Sequence, residues 1–178
     1  RMVADDPLLN EDASSQVAHA ISTHAVQTEF DFYTATDDFS SREDAGAGML
    51  GTIEYNSATL YRYANVSVHE FYQQLEKDVE KVGNSLSLFI EAFLKSMPSG
   101  KANTFANQTL PQALLISLRE DRPVNLVTAF EKPVISNKGY IRESIDALVR
   151  EQEVIKKWTN EPVKTYTLGI ESSGYEKD

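Results

Sequence analysis

The side chains of this chain best placed to do chemistry are aromatic and basic residues on extended segments. The chemistry they suit is contact with flat or charged partners rather than bond breaking. Side chains alternate faces along a strand, so in EFDFYTA the rings of Phe30 and Phe32 share one face while Asp31 and Tyr33 share the other. In ATLYRYANV, Leu60, Arg62 and Ala64 fall on one face and Tyr61 and Tyr63 on the other. An aromatic ring can stack on a nucleobase and a guanidinium can hold a phosphate. The same pattern fits tyrosines packed beneath helices with Arg62 capping an edge. A polar loop, SGKANTFANQT, gathers Lys101, Asn103, Thr104 and Asn107, which suits a phosphate, a partner subunit or plain solvent.

Residue pairs that would carry catalysis or hold a metal are poorly spaced. His19 and His24 are five apart, which puts them on opposite faces of a strand and off one line on a helix, so a shared metal is badly placed. His69 has no partner at useful spacing. The neighbouring acids Asp5 and Asp6, and Asp37 and Asp38, point apart in extended chain and make poor acid and base pairs. There is no cysteine, which removes disulfides, thiolate zinc sites and thiol nucleophiles together and fits a reducing cytoplasm. No P-loop, GxSxG, HExxH or CxxC pattern occurs. The expectation is therefore a non-catalytic chain with no metal and no cofactor.

The balance of charge narrows the partners. A formal net charge of -10 argues against a generally basic nucleic-acid surface, because such surfaces draw affinity from Lys and Arg displacing counterions. Any contact with nucleic acid must be local. At 41% hydrophobic and 25% charged residues the composition is that of an ordinary globular domain, so the 178 residues are expected to fold around one core. No apolar run approaches the roughly 20 residues needed to span a bilayer, and RMVADDPLL lacks the features of a signal peptide. A soluble, cytoplasmic protein is expected, and its start at Arg1 fits a piece of something longer.

The element that must position the aromatic residues runs from Gln16 to Val66. Two strand-like arms, the first assigned as strand from Gln16 to about Thr28 with helix as the runner-up for its alanine content, are joined by FSSREDAGAGML, too long for a two-residue turn. A hairpin projecting from the body is expected. The opening VADDPLLNEDASS reads as an exposed connector. Ser67 and Glu70 have capping-box spacing, and Phe71, Leu75, Val79, Val82, Leu86, Phe93 and Met97 then recur at helical spacing, with a split expected at Gly83–Asn84. Glu76, Lys77, Glu80, Lys81 and Glu91 form the wet face. QALLISLRE reads as a buried strand and REDRP as its turn, NLVTAFEKPV as one or two helical turns. Ile141 to Trp158 marks a third helix, VKTYTLGI a closing strand and ESSGYEKD a frayed tail. This order is α+β, an antiparallel sheet covered by helices.

Taken together, the initial RM, then AHAISTHAV, DFYTATDD, GAGMLGT, LYRYANV, PSGKANTFAN and AFEKPV resemble the CasC family, the repeated backbone subunit of the type I-E CRISPR Cascade complex. The segments occur in the family's order and cover the chain to about residue 159. The resemblance implies an incomplete modified RNA-recognition-motif (ferredoxin-like) palm spanning residues 1–178, the C-terminal part of a longer protein, with a β-hairpin thumb inserted at 27–59. It also implies a non-catalytic subunit that polymerises with copies of itself along a CRISPR RNA. The thumb would displace guide bases at regular intervals and leave the rest to pair with target DNA, beside other Cascade subunits and with no membrane partner.

On this resemblance the wedge positions fall on Tyr33, with Phe32 beside it, and on Leu50, while Arg1 and Met2 match another RNA contact. Arg62 and Lys101 are phosphate candidates by segment and charge. The family's N-terminal half, with its basic grip on the RNA backbone, has no counterpart here. Two alternatives stand beside this reading: a CRISPR RNA-processing endoribonuclease on a related palm, and a module that assembles through protein contacts alone.

Overall fold

A computed structural model describes residues 12–35 and 49–170. Its first half is a long antiparallel ribbon in three ladders: β1 (Ser15–Val17) with β6 (Ala64–Val66), β2 (Ile21–Ser22) with β5 (Leu60–Tyr61), and β3 (Glu29–Ala35) with β4 (Met49–Tyr55). The expected pairing of the two arms is therefore present. The first arm, however, is not one strand over 16–28. Between the first two ladders three of its residues (18–20) oppose two (62–63), and between the second and third, six (23–28) oppose four (56–59). Surplus residues on one arm cannot stay in register, so the ladder breaks and the ribbon bends at both places.

Helices follow. Ser67 precedes α1 (Val68–Gln74), but its hydroxyl lies 3.2 Å from His69 Nδ1 and makes no cap hydrogen bond, so the expected capping box is not formed. The helical stripe splits earlier than Gly83–Asn84. Glu76 and Lys77 take left-handed φ of 56° and 63°, and Asp78 then caps α2 (Val79–Lys95) by accepting from the Glu80 and Lys81 amides. A capped aspartate sets a helix start more firmly than a mid-helix glycine breaks one, and Gly83 lies inside α2. Phe71, Leu86 and Phe89 of the helix pair line one small cavity together with Ser14, Ser15 and Val66.

The SGKANTFANQT loop contains one short helix, α3 (Ala102–Phe105). Next come β7 (Leu114–Leu118), a 3-10 turn at Val127–Phe130, α4 (Ile141–Ile155) and β8 (Lys164–Leu168). β7 and β8 pair antiparallel with Ile116 opposite Tyr166. β7 was expected to be buried. It is half-buried at Leu114 to Ile116 and exposed at Leu118, since its two-stranded sheet has no further strand beside it among the described residues.

The apolar core among the described residues is small: Val82, Leu126, Phe130 and Ala147. Leu126, Phe130 and Ala147 sit where α4 meets the 3-10 turn, and Val82 is on α2. The second closure is polar. Arg119 clasps Asp121 and donates to the Asn160 carbonyl at 2.6 Å, tying the end of β7 to the turn before β8. The architecture is α+β, built of small antiparallel sheets flanked by helices, and accords with an RNA-recognition-motif-like palm carrying a hairpin. Among the described residues no helix is long and apolar enough to cross a membrane. The opening segment 1–11, the hairpin tip at 36–48 and the tail 171–178 lie outside the described residues.

Candidate functional site

Register decides what the hairpin presents. Phe30 faces Glu54 and Phe32 faces Thr52, so these four share one side of the β3–β4 ribbon. Asp31 opposite Ile53 and Tyr33 opposite Gly51 make up the other. The first side is open, with Phe30 57% and Phe32 70% exposed. The second is half-covered, and Tyr33 is 42% exposed. Adjacent in sequence, Phe32 and Tyr33 point to opposite sides of the ribbon.

The phenol end of Tyr33 lies over its cross-strand partner, which has room for it because it is a glycine. A Cβ at Gly51 would strike the Tyr33 ring, with Cε1 only 2.6 Å away. The missing side chain makes the seat for the ring. At 42% exposure the rest of the ring stays open to a partner. Stacking of this kind is worth about 1–3 kcal/mol per base and accepts any base.

The root of the hairpin meets the loop that carries Lys101. Tyr55 and Phe105 are in edge-to-face contact with centroids 5.3 Å apart, and the Thr28 hydroxyl donates to Asn56 Oδ1 at 3.2 Å. Lys101, in a left-handed conformation at φ 53°, places Nζ 6.0 Å from the Phe105 ring centre. Lys101, Phe105 and Tyr55 thus form one cationic and aromatic cluster beside the hairpin root. Sequence reasoning singled out Lys101 and missed the two rings. The available signal was a lone phenylalanine in an otherwise polar loop. Asn107 adds a buried Oδ1 with no hydrogen-bond partner.

Arg62 sits elsewhere. It donates to the Ser96 carbonyl at 3.2 Å and lies 4.4 Å from the centre of the Phe93 ring, fastening the second arm to the end of α2. Tyr61 turns inward. Its hydroxyl donates to Asn125 Oδ1 at 2.9 Å and accepts from the Leu126 amide at 3.1 Å, and its ring leans on Phe130. Burial pushes the Tyr61 phenol up to about 12, against the opposing Leu126 hydrogen bond, and burial likewise raises Tyr63. Tyr61 and Arg62 of this segment thus both engage groups of the body. Among the seven sequence candidates, Phe32 and Tyr33 lie on the hairpin, Lys101 beside its root, and Arg62 on the body. Leu50 pairs with Thr34 through its backbone. Its side chain, with Arg1, Met2 and the acidic tip, lies outside the described residues.

Both ring nitrogens of His24 are taken up by backbone groups, and His69 meets the Ser67 hydroxyl. Among the described residues no three His, Asp or Glu side chains converge as a metal site would require.

Residues 1–177 match the family model described as CT1975-like protein. A chain from a CRISPR RNA-guided surveillance complex is 31% identical and superposes with a TM-score of 0.84, covering 98% of this chain and 67% of its own length. Another, from a CRISPR RNA-guided surveillance complex in a pre-nicking state, is 30% identical with a TM-score of 0.85, covering 99% of this chain and 47% of its own. The chain therefore spans about two thirds of the first and less than half of the second. No curated protein matches it.

Proposed function

This chain belongs to the CT1975-like protein family, and from its likeness to chains of CRISPR RNA-guided surveillance complexes we propose that it is a non-catalytic subunit of such a complex. Its finer role is that of the repeated backbone subunit of a type I-E assembly, contacting the guide RNA and neighbouring copies of itself. The observation that carries this is the two-sided hairpin: Phe30 and Phe32 exposed on one side, Tyr33 seated on Gly51 on the other. The hairpin at 27–59 separates guide bases at intervals, stacking on them without reading their identity. Pairing between guide and target DNA then carries sequence specificity.

Lys101 supplies a local positive charge at the hairpin root, which suits a chain of net charge -10 better than a broad basic face. Arg62 is a weaker phosphate candidate, since Ser96 and Phe93 already engage it.

The test is reconstitution of the full-length protein with guide RNA, comparing the native protein with Tyr33→Ala plus Leu50→Ala. Loss of assembly on the guide and of target binding is expected, and an unchanged double variant would refute the thumb assignment. A salt titration separates the alternatives. RNA contact requires a slope of about -0.7 per phosphate neutralised on a single strand, whereas a flat response would favour assembly through protein alone. Metal-independent cleavage of a labelled repeat would favour the endoribonuclease.

A further inference from the structure

The hairpin leaves the body at its second bend, where the six residues 23–28 of the first arm oppose the four residues 56–59 of the second. The regular ladder is interrupted there, with the Thr23 amide still donating to the Thr59 carbonyl, and a thinned ladder is a place where a ribbon can swing. Side chains add to the hold here. His24 reaches across the gap from the longer arm to the shorter: its Nε2 accepts the Thr59 amide at 3.1 Å, and its Nδ1 meets the Ala25 carbonyl at 2.8 Å. Its ring also stacks on Tyr140, the residue before α4, with centroids 3.7 Å apart and planes at 10°.

The neighbouring Thr23 makes the same place a junction. Its amide donates to the Thr59 carbonyl, its carbonyl accepts from the Val134 amide, and its hydroxyl is hydrogen-bonded to that of Ser144 at 2.8 Å. At 2% exposure Thr23 is shielded from water, so none of these bonds is readily replaced by solvent.

We propose that His24 is the positioning residue of the hairpin, setting the angle at which residues 27–59 leave the body and hence where Phe32 and Tyr33 meet the guide. The consequence for the guide rests on the function proposed above. The pivot itself rests on the bend and its contacts. A backbone amide can only donate and a carbonyl can only accept, so the contacts of His24 select one state: the neutral ring with its proton on Nδ1. Thr23 also joins both arms and the body, through hydrogen bonds alone; among the described residues of the bend His24 adds an aromatic stack. The Thr28 hydroxyl crosses to Asn56 only on the far side of the bend.

The chain contains no cysteine, so Thr52→Cys on the hairpin and Asp146→Cys on α4 give two unique spin-label positions. Double electron–electron resonance between them reads the hairpin angle without RNA. The native sequence and Tyr140→Phe, which keeps the stack, are expected to give one narrow distance. Loss of that narrow distance is expected in His24→Phe, which keeps a ring on Tyr140 but loses both hydrogen bonds, and in Tyr140→Leu, which keeps the bonds but loses the stack. A distance distribution in both variants identical to the native one would overturn the proposal. Nitrogen-15 spectra of the histidines, assigned by the resonances lost in His24→Phe, should show an unprotonated Nε2, and a protonated one would equally refute it. Footprinting of the full-length protein on guide RNA separates the two readings. Native protection that becomes irregular in His24→Phe supports both, whereas absence of protection in the native protein refutes the guide-contacting role and leaves the label distances to decide the pivot.

Discussion

Gly51→Ala tests the thumb without touching any residue proposed to contact RNA. Its added methyl would occupy space now filled by the Tyr33 ring, with Cε1 2.6 Å away, so the ring must leave its seat. The cost to the fold is small, because the ring is 42% exposed and can swing outward. An off-rotamer adjustment costs about 0.5–1.5 kcal/mol, which in a chain of this size lowers Tm by no more than about 6 °C. The cost to binding is larger if Tyr33 stacks on a base. Losing about 1–3 kcal/mol per base corresponds to about 5- to 150-fold in affinity. Gly51→Ala should approach the loss seen in Tyr33→Ala, and the double variant should lose no more than Tyr33→Ala alone, because with the ring gone the methyl meets nothing. Fluorescence anisotropy of the full-length protein on labelled guide RNA, run as a double-mutant cycle, measures this coupling. Additive losses, or native affinity in Gly51→Ala, would refute the assignment of Tyr33 as a seated wedge.

Other outcomes follow from the packing. Tyr61→Phe removes the hydroxyl that serves Asn125 and Leu126 and should destabilise by about 1–3 kcal/mol in urea unfolding, since the Leu126 amide loses its acceptor. The Tyr61 phenol is raised from 10.0 to about 12 on folding, so its contribution is present below pH 10 and is lost as pH rises toward 12; stability measured over that range should fall less steeply in Tyr61→Phe. Asp121 behaves in the opposite sense. The Arg119 side-chain hydrogen bond holds its carboxyl well below the usual range, so the latch is intact above the ordinary carboxylate pKa and opens as acid protonates it. The protection factor of the Val163 amide, which donates to Leu118 beside the latch, should fall in acid and already be low at neutral pH in Asp121→Asn. Arg62→Met should lower stability by about 0.5–1 kcal/mol through the lost contact with Phe93, and leave the salt slope of guide binding unchanged if Ser96 and Phe93 are its main partners.

Much of the architecture was legible in the chain. Alternation in EFDFYTA and the strand composition around Leu60–Tyr61 marked both arms of the ribbon, the helical stripe marked α2, and Ile141 onward marked α4. Each signal is local, because an element's period is written in its own residues. The misreadings were also local. Ser67 and Glu70 have the spacing of a capping box, yet His69 is the partner of the Ser67 hydroxyl, and Asp78 rather than Gly83 sets the start of α2. Neighbours in space overrode the pattern in each case.

The candidate site was legible only as residue types. Composition determined that no thiol chemistry is available, and alternation determined that Phe32 and Tyr33 lie on opposite faces of any strand that holds them. What alternation cannot contain is register. The placement of Gly51 under Tyr33 depends on how many residues the two arms pair, and the surplus in the first arm is invisible until both arms are seen together. The same holds for Tyr55 against Phe105, for Arg62 against Phe93, and for His24 bridging Thr59 and Tyr140. These contacts join residues far apart in the chain, so tertiary structure alone decides which aromatic residues face a partner and which arginine is already engaged.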